Sequence, residues 1–375
     1  MKGYVSYKST AELATIKLFA MGCHIQISLN TARLNTKRLN TPYSQAAIDQ
    51  QVALLADDIQ QQLAYWEHIF SRFDDTSELM TLNNTTDQWT DVSAELFMVL
   101  QRAIYFVPKT QGLVTPTLLK SMWAAGYTQS FESLPKHAMS STAVVNSNMI
   151  FNSQDLPIAS DAKLKYANQQ TEHIQMRLLE NGQQQVYLPT GMALDLNGYV
   201  KGWCAMQLAE QISQLHKWHL PCLIDLGGDI AIGVPSDQID KPIVWGVAVA
   251  KPHCDDGRQV RDEENVAILA IHAGGVATSG QDYRRWWHDG RWQHHLIHPH
   301  YSRPVSSDVL TATVLATDTL TAEVQAKYCV LLGIKAAMVW LDSNHIAAIL
   351  IATDNKMLTS RAIYSNLVPL ESIAI

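Results

Sequence analysis

Apolar and polar positions alternate from Lys17 to Leu29, in KLFAMGCHIQISL. A two-residue period with β-branched side chains predicts a strand there. Residues 31–44 are polar and without period, which predicts a loop. From Ser44 to Phe70 the spacing becomes helical, with Ile48, Val52, Leu55, Ile59, Leu63, Trp66 and Ile69 on one stripe. Asp74 and Asp75 mark a turn, and Thr76, Ser77 and Glu78 open a short helix over Leu79 and Leu82. Ser93 starts another helix through Glu95, Phe97, Val99, Leu100 and Ile104. Residues 127–160 are polar and irregular, which predicts a surface excursion.

Beyond Met176 the pattern turns to β structure. MRLLENGQQQVYLP reads as a hairpin with Asn181-Gly182 at its turn. A helix is expected from Lys201 to about His216. CLIDLGGDIAIGV reads as strand, Gly-Gly turn and strand, and WGVAVAKP and VAILAIHAGGVATSG add two more strands. ATVLATDTLTAEVQAKYCVLLG runs strand, turn, helix, and AAMVWLDSNHIAAILIATDNKMLTS closes with two strands. Hairpins mixed with helices, without a regular strand–helix alternation, predict an α+β fold.

Composition narrows the function. The 375 residues are 47% hydrophobic, enough for a full core in one large domain or two interlocked lobes. The net charge of −7 and the absence of a basic run argue against nucleic-acid binding. Cys23, Cys204, Cys222, Cys254 and Cys329 form no CxxC pair and read as reduced, buried thiols. No apolar stretch approaches the roughly 20 residues of a membrane span. Ala20-Met21-Gly22-Cys23 superficially fits a lipoprotein cleavage box, but Lys8, Glu12 and Lys17 interrupt the apolar region such a signal needs. The expectation is therefore a first strand and a cytoplasmic protein.

Candidate chemistry concentrates in four places. Asp225-Leu-Gly-Gly-Asp229 places a glycine pair at a strand end, where a backbone can approach a phosphate or ring; on local grounds a tight turn or bulge explains it equally well. No dinucleotide fingerprint or phosphate-binding P-loop sequence occurs. Asp195 to Gly202 leads into a helix whose N-terminus, with Lys201, suits an anion, although an Asp cap would look the same. His294, His295, His298 and His300 lie close together, but strand alternation puts His298 and His300 on one face and His295 on the other. That favours one functional histidine among exposed companions over a zinc cluster. Glu323 and Lys327 form an i,i+4 pair, which alone is an ordinary surface ion pair.

Taken in order, these pieces resemble the ApbE family of FAD:protein FMN transferases, from about Thr15 to Ala362. The most specific match is SRFDDTSELMTLN at residues 71–83. It is joined by Met21-Gly22-Cys23, QGLVTPT at 111–117, DLNGYVKGWC at 195–204, DLGGD at 225–229, ATSGQDY at 277–283 and HLIHPHYSRPV at 295–305. The resemblance implies a two-lobed, T-shaped α+β fold with mixed or antiparallel sheets and flanking helices. It implies one domain over residues 15–365, preceded by an extension at 1–14, with FAD in the cleft between lobes.

It further implies an activity that cleaves FAD, attaches FMN through a phosphoester to a Ser or Thr of an acceptor protein, and releases AMP. Met21, Phe73, Leu113, Val114 and Thr115 would line the flavin and adenine region. Asp195, Lys201 and the turns at Gly227-Gly228 and Thr278-Ser279 would face ribose and phosphates. His295 would act as general base. A Mg²⁺ ion would take the Gly198 carbonyl and Glu323. Yet Lys327 falls where the family has a hydroxyl ligand, and an ammonium repels a cation. The acids expected at Thr115 and His298 are also missing, and Asn197-Gly198 replaces a glycine pair. The alternatives are a flavin-binding protein without transferase activity, with Lys327 in the metal's place, or an FAD pyrophosphatase giving FMN and AMP.

Overall fold

The chain begins with an antiparallel meander of β1 (Ser6–Ser9), β2 (Leu13–Ala20) and β3 (Cys23–Asn30). This is a computed structural model, and it describes residues 5–10, 12–32, 44–134, 171–214, 218–252 and 264–369. The stretch expected to be one strand is two. Met21 and Gly22 both have positive φ, 53° and 65°, and Ala20 pairs directly with Cys23. Two left-handed residues in a row make the tight turn that matches strand twist. Gly22 adopts it freely, whereas Met21 is held there at a cost. Within the stretch expected as an N-terminal extension, residues 6–9 form the edge strand of the large sheet.

Helix α1 (Gln45–Phe70) starts at Ser44, whose side chain accepts from the Ala47 amide, and buries the stripe read from the sequence. Ser77 caps α2 (Glu78–Asn84) and Ser93 caps α3 (Ala94–Lys109) in the same way. Between them lies β4 (Trp89–Val92), which pairs with the hairpin of β5 (Gln175–Leu178) and β6 (Gln184–Tyr187). A short α4 (Leu119–Ala124) precedes the segment expected to be a surface excursion. Its first part is otherwise: Tyr127 and Leu134 are buried with Met122, Trp286 and Ile297. Residues 135–160 of that excursion, Cys254 and the loop at 33–43 lie outside the described residues.

Helix α5 (Val200–Gln214) is followed by β7 (Cys222–Leu226), β8 (Asp229–Gly233), β9 (Trp245–Ala250), β10 (Asn265–Ile271) and β11 (Gly274–Gly280). The two strands expected from 245 to 280 are therefore three. Two short ribbons come next, β12 (Arg285–His288) with β13 (Arg291–His294), and β14 (Ile297–His298) with β15 (Arg303–Pro304). β16 (Val309–Ala316), α6 (Thr319–Leu332), α7 (Ile334–Ser343), β17 (Ala348–Ala352) and β18 (Met357–Thr359) close the fold. Helix α7 falls in the stretch read only as strands. Gly333, at φ 78°, breaks the chain between the two helices, and α7 buries only Ala337 and Leu341.

Nine strands form one antiparallel sheet in the order β1-β2-β3-β7-β8-β11-β16-β17-β18. Helices α1, α5 and α6 pack on it, α5 against β7 and β8 and α6 against β11 and β16. Trp66 and Phe70 of α1 meet Trp203 of α5 edge to face, with ring centroids 5.2 and 5.6 Å apart. The β9–β10 hairpin packs on side chains that the sheet does not give to the helices: Leu223, Ile230, Ile232 and Val276 meet Val247, Val249 and Leu269. Alternation along β7 sends Leu223 to the hairpin and Ile224 and Leu226 to the helices. Both faces are covered, which explains why apolar residues stand on both sides of β7, with Asp225 at its end beside the turn.

Candidate functional site

A cleft of about 770 Å³ opens where β9 of the hairpin faces the β7–β8 turn, the start of β3 and the loops before α4 and α5. That volume suits an extended small-molecule ligand. Leu113, Val114 and Thr115 form one wall, and Asp195, Gly198, Lys201, Gly227, Gly228, Thr278, Ser279 and His295 also line it. Met21 and Phe73 do not. Met21 sits in the turn before the cleft-lining Gly22 and Cys23. Phe73 stacks 4.3 Å from the guanidinium carbon of Arg72.

Arg72 was missed in the sequence as a site residue, although it lies inside the 71–83 motif. Its guanidinium carbon lies 4.3 Å from the Phe73 ring centroid and 4.2 Å from that of Tyr127, two rings that also touch each other, and the group donates to the Tyr127 carbonyl at 2.8 Å. Its Nε lies 3.4 Å from Asp195 Oδ2, with side-chain exposures of 0% and 5%. Asp195 does not cap α5. Its Oδ1 accepts from the Asn197 amide at 2.9 Å, a local turn that holds the loop ahead of the helix. A fixed carboxylate thus edges the cleft, with Arg72 behind it.

The β7–β8 turn places Gly227 and Gly228 at φ 67° and 95°. The Asp225 carboxylate takes the Gly228 amide at 2.8 Å, and burial raises its pKa. The tight turn inferred from local sequence is therefore present, and it faces the cleft. Asp229, 1% exposed, pairs with Lys201 at 2.5 Å. Burial pushes the Lys201 ammonium down, and the carboxylates of Asp229 and Glu323 outweigh it, so its pKa rises. Thr278 and Ser279 lie inside strand β11 and not in a turn. Thr278 shares a 2.9 Å hydroxyl contact with Thr313. Arg284 also lines the cleft and donates to the Gly22 carbonyl at 3.1 Å. It was not singled out in the sequence; its signal is its position just after ATSGQDY.

The four histidines separate by environment. His294 is 1% exposed, so it is no exposed companion. Its Nε2 donates to the Val305 carbonyl at 2.9 Å, and its Nδ1 accepts from the Leu296 amide at 3.3 Å, which keeps it neutral. His298 and His300 contact each other with ring centroids 5.4 Å apart, but His300 lies in the turn after the strand, and neither lines the cleft. His295 does line it, and its Nδ1 is buried with no hydrogen-bond partner among the described residues. Burial first, then the positive charges of Arg284, His294, Lys327 and Lys201, hold its pKa well below the usual imidazole value. At neutral pH it is a free base facing the cleft.

Burial also depresses His294 and His298 to about 4. Below the unfolded value near 6.5 the unfolded chain binds more protons, so stability is complete above about pH 6.5 and falls as pH drops toward 4. For His294 the loss reaches on the order of 2–3 kcal/mol, and solvent screening makes the share of His298 smaller. Urea unfolding at pH 7 and pH 5 should show this decline. An unchanged midpoint would contradict the buried, neutral assignment of His294.

Glu323 and Lys327 are not a surface pair. Glu323 is 0% exposed, its Oε1 accepts from Lys327 at 2.9 Å, and its Oε2 accepts from the Gly202 amide at 2.9 Å. Gly202 is needed for this approach, because a Cβ there would lie 2.8 Å from Oε2. Burial raises the Glu323 pKa, and Lys327 opposes that rise. Lys327 lines the cleft, and its Cε would meet a Cβ on Gly198 at 3.3 Å. These residues do not fit Mg²⁺. Glu323 is fully buried and does not line the cleft, and the Lys327 side chain lies against Gly198 with its ammonium on Glu323. Among the described residues no group of three or more His, Cys, Asp or Glu side chains is arranged to hold a metal ion.

Comparison with known proteins agrees with this architecture. The model of the ApbE family matches residues 21–350. The FAD:protein FMN transferase of Treponema pallidum is 25% identical over 283 residues, 72% of this chain and 69% of that protein. The FAD:protein FMN transferase of Salmonella typhimurium is 25% identical over 354 residues, 90% of both. Some other curated relatives match over as little as 44% of their length. The crystal structure of the ApbE protein from Thermotoga maritima superposes with a TM-score of 0.68 at 18% identity, covering 95% of this chain and 97% of that one. No helix among the described residues is long and apolar enough to cross a membrane.

Proposed function

The chain belongs to the ApbE family, and from that membership and the cleft we propose that it is an FAD:protein FMN transferase. FAD is the substrate, and the acceptor is a Ser or Thr hydroxyl of another protein. The observation that carries this reading is His295, a neutral imidazole with an unpartnered nitrogen, set in a cleft that also holds Lys201, Arg284 and Lys327. The acceptor oxygen attacks the phosphorus of the FMN half. The bond from that phosphorus to the bridging oxygen breaks, and the oxygen leaves with AMP. The hydroxyl proton passes to His295. The cations stabilise the negative charge that builds on the phosphoryl oxygens and the leaving phosphate.

In this reading Leu113, Val114 and Thr115 wall the flavin end. Asp195, Lys201, the Gly227-Gly228 turn, Thr278 and Ser279 serve ribose and phosphates. Met21 and Phe73 act indirectly, through the turn before Cys23 and through the Arg72 that supports Asp195. No step is assigned to a divalent ion, because the residues at Gly198, Glu323 and Lys327 do not accommodate one. Calorimetry should give FAD binding at about micromolar or tighter, and weaker FMN binding, because the AMP half adds contacts. Failure to bind either flavin would overturn the proposal.

A further inference from the structure

We propose that Lys327 is a built-in cation for the dinucleotide diphosphate, so that the protein binds FAD without a divalent metal. The inference rests on the flavin-transferase reading and extends it. Among the described residues Lys327 makes one hydrogen bond, to Glu323, which is itself fixed by the Gly202 amide. Its side chain is 14% exposed, and that exposure opens on the cleft beside Gly198. Lys201 in the same cleft is committed to Asp229 at 2.5 Å, and Arg284 donates one hydrogen bond to the Gly22 carbonyl. An ammonium has three donors and, among the described residues, one is used, which leaves two for an anion. Buried charge-assisted bonds of this kind are strong, and the anchoring carboxylate orients the head in advance.

A fixed ammonium differs from a bound ion in its dependence on solution. Its effect on FAD survives chelation and needs no added metal. The test is FAD and riboflavin affinity, by flavin fluorescence, in EDTA and in excess Mg²⁺. Wild type should bind FAD equally in both, within about twofold. Lys327→Met should weaken FAD about tenfold or more in EDTA and leave riboflavin unchanged, because riboflavin has no phosphate. That single change strands Glu323, so the double variant Lys327→Met with Glu323→Gln is measured beside it. The Gln carbonyl can still accept from Gly202, and this variant should show the same selective loss.

A tenfold or greater gain of wild-type FAD affinity on adding Mg²⁺ would overturn the inference. So would undiminished FAD binding by the double variant. Either result leaves the transferase reading standing, whereas wild type that binds neither FAD nor riboflavin removes both.

Discussion

The His295→Ala variant loses about 10²–10⁴-fold in FMN transfer, the usual worth of a positioned general base, while its FAD affinity stays within a few-fold of wild type. His295 lines the cleft and its Nδ1 has no partner among the described residues, so removing the ring breaks no hydrogen bond from that atom to them. His298→Ala serves as the contrast. That ring rests against Tyr301 and His300 and does not line the cleft. Its loss should leave transfer within a few-fold of wild type. Since burial and neighbouring cations keep the His295 pKa low, the base form persists as pH falls from 7 to 6. Transfer should therefore show no inflection near 6.5 attributable to this residue. A damaging His298→Ala with a harmless His295→Ala would reverse the assignment.

The second large effect is on stability. Lys327→Ala leaves the buried Glu323 carboxylate without its ion-pair partner, with only the Gly202 amide and the more distant Lys201 to offset it, and breaking such a pair from one side typically costs about 3–5 kcal/mol. Replacing both partners, Glu323→Gln with Lys327→Met, removes the charge together with its partner and should come within about 1 kcal/mol of wild type or exceed it. Denaturant midpoints of the two variants decide this. If Lys327→Ala is as stable as wild type, the pair is solvated, and the account of a fixed internal cation fails with it.

Much of this architecture was legible in the sequence because local rules agreed with one another. Ser44, Ser77 and Ser93 announce helix starts, and each caps the helix it precedes. Asn181-Gly182 makes its hairpin turn, and the stripe from Ile48 to Ile69 is the buried face of α1. What failed was punctuation. Met21-Gly22 reverses the chain inside an apolar run, and only the positive φ of a non-glycine residue reveals it. Helix α7 buries only two residues, so its period is faint beside the apolar strand that follows.

The site was readable through ordered motifs far apart in the chain, but partner identity was not. Nothing in the spacing brings Arg72 behind Asp195, or Arg284 onto Gly22, because those contacts span the tertiary fold. The Glu323–Lys327 spacing likewise gives adjacency on a helix and says nothing of burial. The packing of α5 against α6 turns a surface pair into an internal one.

AMP release from FAD, followed with and without an acceptor protein, tests the central claim most directly. The account predicts that AMP appears only with the acceptor, in step with flavin fluorescence on the denatured acceptor band and with a mass increase equal to an esterified FMN. AMP formed equally well without any acceptor would make the protein a pyrophosphatase. FAD binding with no AMP under either condition would make it a flavin-binding protein alone, and either result contradicts the transferase.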